Sequence, residues 1–146
     1  MKIDFVALDK DNWEECVLLW SSDDQFVTPN LRSIAEAQFY PKAISRAIFV
    51  SEEMVGYSMY GEDEDDAEAW AIDRFMISGK FRRKGYGLEA LRQILEMGRT
   101  KGFQKFITST AIKNEAMQNL LSKVGFSTRY EVKDGEYLYY KDEKPS

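Results

Sequence analysis

Four cations and two glycines crowd the short stretch Lys80-Phe81-Arg82-Arg83-Lys84-Gly85-Tyr86-Gly87. Two glycines spaced by one residue let a backbone curl closely around a ligand, because neither carries a Cβ. A helical pattern begins at Leu88. The turn therefore ends at a helix N-terminus, where unpaired N–H groups and the helix dipole attract anions. The chemistry this suits is the binding of a phosphate-bearing cofactor. A ligand-free basic turn is the competing reading of the same residues. Two other phosphate motifs fit less well. A dinucleotide fingerprint needs an acidic residue about 20 positions on, closing the next strand, and residues 103–110 contain none. A Walker loop needs Gly-Lys-Ser/Thr, which is absent.

The rest of the composition narrows the chemistry. The chain has 146 residues, no histidine, one cysteine and a net charge of −5. Without histidine, proton transfer near neutral pH falls to carboxylates, tyrosine, water or a perturbed lysine. Histidine triads and zinc sites built on His or Cys pairs are excluded, so no metal is expected. A single cysteine, Cys16, permits no internal disulfide, which fits a reducing cytoplasm. It lies in a helical-looking segment and reads as core. The acidic balance argues against nucleic acid as a partner. No apolar run has the length of a membrane span, and Met-Lys-Ile-Asp does not open a signal peptide. One soluble domain over residues 1–146 is expected.

The elements that must position the basic loop follow from periodicity. Residues 2–8 read as a strand and 12–20 as a helix. Thr28-Pro29-Asn30 begins a second helix running through residues 33–39. Residues 44–51 and 54–60 are strand-like and form a hairpin about Glu52-Glu53. The acidic run Glu62-Asp63-Glu64-Asp65-Asp66 makes the next turn, and residues 70–77 form a strand long enough to be central. Leu88, Leu91, Ile94 and Leu95 fall at helical spacing, stopped by Gly102. A strand at 103–110 precedes a helix capped by Asn114 with Met117, Leu120, Leu121 and Val124 on its apolar face. A hairpin about Lys133-Asp134-Gly135-Glu136 follows, and residues 142–146 are expected to fray.

From Trp70 to Tyr140 the chain resembles the GCN5-related N-acetyltransferases. The resemblance runs through the central strand, the Arg82–Gly87 loop, and Asn114-Glu115 followed by Val124-Gly125-Phe126. Upstream, Phe26-Val27-Thr28-Pro29-Asn30, Ser33-Ile34-Ala35-Glu36-Ala37 and Val55-Gly56-Tyr57-Ser58-Met59-Tyr60-Gly61 are similar to the bacterial spermine/spermidine branch. The resemblance implies a mixed α/β fold: a mostly antiparallel sheet of about six or seven strands with splayed central strands, flanked by about four helices. It also implies acetyl transfer from acetyl-CoA directly to a small-molecule amine, in a protein that can form a homodimer.

The cofactor arm would lie between the strand containing Phe75-Met76-Ile77 and that containing Phe106-Ile107-Thr108, bonding to the main chain of Met76 and Ile77. The pyrophosphate would sit on the N–H groups of Arg83, Lys84, Gly85, Tyr86, Gly87 and Leu88. Arg82 would hold the loop or contact phosphate. Asn114 matches a position that contacts the arm, and it reads equally as a helix cap. Asp73 is the candidate base, or the holder of a relay water. Strand alternation would place it with Ala71, Phe75 and Ile77 on an apolar face that raises its proton affinity; an ion pair with a nearby cation is the alternative. Asn30, Ser33 and Glu36 are the candidate contacts to the amine, or else capping and surface residues. The acidic run could steer a polycation or simply be a solvated turn. One departure stands out. Leu121 occupies the place where the family commonly has a tyrosine that protonates the leaving thiolate.

Overall fold

The computed structural model describes residues 1–143. Seven strands form one sheet in the order β1-β2-β3-β4-β5-β7-β6. These are β1 (Ile3–Ala7), β2 (Ile44–Val50), β3 (Glu53–Glu62), β4 (Ala69–Ile77), β5 (Lys105–Ala111), β6 (Ser127–Lys133) and β7 (Glu136–Asp142). All neighbours run antiparallel except β4 and β5, which are parallel. The helices are α1 (Trp13–Leu19), α2 (Asn30–Ala37), α3 (Tyr86–Thr100) and α4 (Glu115–Lys123).

Each face of the sheet is covered by one helix pair. On one face Ala90, Leu91, Ile94 and Leu95 of α3 and Leu121 of α4 bury against Trp70, Ile72, Phe75, Ile77 and Phe106. Their spacing is the helical stripe that the sequence showed. On the other face Cys16 of α1 and the partly buried Ile34 and Ala37 of α2 cover Ala47, Tyr57, Met59 and Met76. Cys16 is a core residue there, and burial, with a smaller push from Glu15, raises its thiol to about 12. That leaves it without thiolate character at neutral pH.

Three boundaries differ from the expectation in ways that matter. The helix after the basic loop begins at Tyr86, not Leu88, with Gly85 as its N-cap. The β2–β3 turn falls on Ser51-Glu52, where Ser51 takes a left-handed backbone. At the C-terminal end, Asp142 closes β7. Glu143 accepts both Arg99 Nε and Nη2 at 2.6 Å, and this fork holds its carboxyl down at about 2. Those two residues do not fray, while the expectation for residues 144–146 lies outside the described residues.

Candidate active site

The parallel pair β4–β5 is short. It runs from Ala69 opposite Lys105 to Ile72 opposite Thr108 and stops there. Thr108 Oγ1 donates to the Ile72 carbonyl at 2.8 Å, closing the paired region. Beyond it β4 continues through residues 73–77 and β5 through 109–111, with no pairing between them. The sheet thus splays at its centre, as expected. Phe106, Ile107 and Thr108, however, belong to the zipped part, and the splayed end of β5 is Ser109–Ala111. The main chain about Met76 and Ile77 borders the gap.

Asp73 stands where the strands part, for a reason that strand alternation misses. Met59 faces Arg74 while its neighbour Tyr60 faces Ile72, so Asp73 is a surplus residue in β4, a β-bulge. Trp70 and Ile72 before it share a face with Phe75 and Ile77 after it. Asp73 therefore does not join an apolar row with Ala71, Phe75 and Ile77; the bulge turns its exposed side chain out of that row. Its carboxyl is nonetheless raised from 3.8 to about 6, chiefly by loss of water around it, then by Asp63 and Glu64, against a smaller opposing effect of Arg74. No ion pair to Asp73 occurs among the described residues.

The acidic turn has divided roles. Glu62 pairs with Lys42 at 2.7 Å and Asp66 with Lys105 at 2.5 Å. Asp63 accepts the N–H groups of Asp65 and Asp66, which fixes the turn. Asp63 and Glu64 are the two members whose charge reaches Asp73.

At the other end of the gap lies the basic loop, whose two glycines are unequal. Gly85 is left-handed, at φ 81°, as is Arg83 at 64°. Gly87 lies inside the first turn of α3. A Cβ there would come within 3.2 Å of Leu120 Cδ1 and 3.7 Å of Ile77 Cγ1. Gly87 thus sits at a close contact of α3 with α4 and β4, not in the turn. No side chain caps α3 among the described residues, so its first N–H groups remain available. Arg83, Lys84 and Lys80 are exposed. Arg82 is committed to protein partners: Nε donates to the Ile77 carbonyl at 3.1 Å, and Nη2 donates to Asp24.

Asn114 caps α4, accepting the Met117 N–H at 3.1 Å. Asn30 and Ser33 are buried, at 1% and 0% exposure, on the inner face of α2. Asn30 Nδ2 donates to the Cys16 carbonyl at 2.9 Å. Asn30 Oδ1, Ser33 Oγ and Arg74 Nε have no partner among the described residues. Glu36 is held by Arg32 at 2.8 Å and by Arg74 at 3.1 Å. Leu121 is fully buried in the core. Among the tyrosines that could stand in for the missing acid, Tyr130 and Tyr137 stack edge-to-face on each other, and Tyr86 opens α3. Asp24 and Arg74 carried no motif or periodicity that could have singled them out; both emerge only as partners of residues that did.

The sheet opens between its parallel central strands, with an uncapped helix start at one end of the gap and a raised carboxyl at the other. The chain belongs to the acetyltransferase (GNAT) family, whose sequence profile matches residues 5–126. By that membership it is an N-acetyltransferase that uses acetyl-CoA. A sequence comparison with curated proteins gives no match. Solved structures share its fold. An acetyltransferase of Thermus thermophilus superposes with a TM-score of 0.80 at 15% identity, over 97% of each chain. The PaiA N-acetyltransferase of Thermoplasma acidophilum, in complex with coenzyme A, gives 0.71 at 14%, over 97% of this chain and 99% of that one. A Bacillus subtilis acetyltransferase in complex with CoA gives 0.69 at 13%, over 97% of each. Among the described residues no helix is long and apolar enough to cross a membrane, and no cluster of His, Cys, Asp or Glu could hold a metal.

Proposed function

We propose that this enzyme acetylates the primary amine of a small polyamine, with spermidine and spermine the first candidates. The observation that carries the reading is the place of Asp73, on a bulge where β4 parts from β5, with Asp63 and Glu64 acting on its raised carboxyl. Acetyl-CoA lays its pantetheine arm along residues 73–77 of β4, bonded through the main chain of Met76 and Ile77 and met by Asn114. Its pyrophosphate rests on the N–H groups from Arg83 to Leu88, with Lys80, Arg83 and Lys84 neutralising charge. Two proteins of the same fold, each in complex with coenzyme A, support that cofactor as the donor's carrier.

An alkylamine of pKa about 10 arrives as a cation and cannot attack until it loses a proton. At neutral pH Asp73 is ionised yet more basic than an ordinary aspartate, so it can take that proton directly or through a water. The nitrogen lone pair then forms the new N–C bond as the C–S bond breaks, the thiolate leaves, and the nitrogen's second proton is lost to solvent water, from which the thiolate is protonated. A thiol of pKa about 8.5 is a tolerable leaving group, so solvent protonation suffices where Leu121 offers none. Glu36 receives a distal ammonium of the substrate by releasing Arg32, whose exposed pairing within one helix is worth only about 0.3–0.5 kcal/mol.

Incubation with acetyl-CoA and a panel of amines, following thiol release, tests the reading. Turnover with spermidine or spermine above that with simple monoamines, an aminoglycoside and a peptide N-terminus is the expected result. Preference for a peptide or aminoglycoside would overturn the choice of acceptor. The buried Leu121 favours one second reading, an acetyl-CoA-binding module without turnover, which predicts cofactor binding and no release with any amine.

A further inference from the structure

The Arg82–Asp24 contact joins parts of the molecule that sequence analysis left unconnected. Asp24 lies in the 21–29 segment between α1 and α2, and its side chain is completely buried. One carboxylate oxygen accepts the Ser21 N–H at 3.0 Å, and the other accepts Arg82 Nη2. The segment is tied up locally as well, since Asp24 N donates to Ser21 O and Val27 N to Asp24 O. A buried carboxylate needs such compensation, and an arginine is the partner that supplies charge and hydrogen bonds together.

What this pair holds is the loop that the proposed function assigns to the pyrophosphate, and the inference rests on that assignment. Arg82, Arg83, Lys84 and Gly85 are all exposed, so no burial fixes their course. Two of them, Arg83 and Gly85, have left-handed backbones, a conformation that a non-glycine residue adopts only where its surroundings impose it. The side-chain tether on this run is Arg82, bonded behind to the Ile77 carbonyl and sideways to Asp24. The same 21–36 strap is pinned to β4 twice more, at Met76 through Asn30 and at Arg74 through Glu36.

We propose that Asp24 is a positioning residue for phosphate recognition: acting through Arg82, it fixes the loop so that the N–H groups of Arg83 to Leu88 converge on the pyrophosphate. Arg82 itself then serves as a bracket and not as a phosphate ligand. Preorganised donors lose affinity when they must be ordered on binding. The defect should therefore be confined to the phosphate end of the ligand.

Coenzyme A and pantetheine, which shares the arm but lacks the phosphates, separate the two ends. In calorimetric titrations Asp24→Asn should weaken coenzyme A by about tenfold or more, the scale of a lost charge-assisted contact. Pantetheine affinity should stay at the wild-type value. Equal weakening of both ligands would mark a general structural role and overturn the proposal; so would no change in either. Should Asp24→Asn fail to fold by circular dichroism, the double variant Asp24→Asn/Arg82→Gln leaves no unpaired charge at this contact and carries the same comparison. A wild-type protein that binds coenzyme A no better than pantetheine would instead refute the loop as the phosphate site, and the inference would fall with it.

Discussion

The Asp73 carboxylate owes its place to one surplus residue in β4. Had the strand kept strict alternation, Asp73 would sit in the row of Ala71, Phe75 and Ile77. The bulge instead lets Ile72 and Phe75 both face the core and turns Asp73 aside at the point where β4 loses its neighbour. This gives two linked expectations for Asp73→Asn. The limb of the kcat/KM profile near pH 6 should vanish, leaving only the later rise from deprotonation of the amine, and the rate at pH 7.5 should fall on the order of 100-fold. Stability gives the second readout. The folded carboxyl titrates at about 6 against 3.8 for its ordinary value, so the native state holds a proton that the unfolded chain releases first. Wild-type stability should drop as pH rises from about 4 through about 6 and level off above. Urea melts of Asp73→Asn should lack that drop, and an unchanged pH slope would remove Asp73 from the raised-carboxyl role.

At the scale of elements, α3 does two jobs at its two ends, and glycine marks both. Gly98 presses against the sheet so closely that a Cβ would lie 2.7 Å from Trp70 and 2.8 Å from Phe106. Both are large, fully enclosed side chains with nowhere to move, so Gly98→Ala should cost about 1–3 kcal/mol in denaturant melts. Coenzyme A affinity of the folded fraction should be retained. Gly85→Val should do the reverse. A Cβ at Gly85 meets only Met1 Cε, at 3.7 Å, but φ of 81° is hostile to a β-branched residue. Straightening the turn should abolish most cofactor affinity at a modest loss of melting temperature. A Gly85→Val protein that binds normally would dismiss the loop. The helical stripes, the Asp134-Gly135 hairpin and the glycine-rich helix start were legible because each rests on local chemistry that sequence spacing reports. Position in α3 was less so: Gly87 looks like Gly85 in sequence, and only contact with Leu120 tells a packing glycine from a turning one. The bulge at Asp73 and the Asp24–Arg82 bracket were not legible at all. The first depends on register against β3 and the second on a contact across 58 positions of chain, and neither leaves a periodic trace.

For the whole molecule, charge separates into regions. The net charge is −5, yet the exposed Lys80, Arg83 and Lys84 collect at the start of α3 while Asp63 and Glu64 act on the Asp73 end of the gap. On the proposed reading, an anionic donor and a cationic acceptor are drawn to opposite ends of one cleft. Glu62 and Asp66 have their charge answered by Lys42 and Lys105, while Asp63 and Glu64 are the members of the turn whose charge reaches Asp73. Their field is screened beyond a Debye length of about 10 Å at 0.1 M salt. It follows that kcat/KM for spermine should fall several-fold between about 0.02 and 0.3 M potassium chloride, on the order expected for electrostatic steering, while a monoamine shows a much shallower slope. Asp63→Asn/Glu64→Gln should flatten the spermine slope without unfolding the turn, because the asparagine oxygen can still accept the N–H groups of Asp65 and Asp66. A spermine slope that matches the monoamine's, or that survives this double substitution intact, would show that the acidic turn does not attract the acceptor.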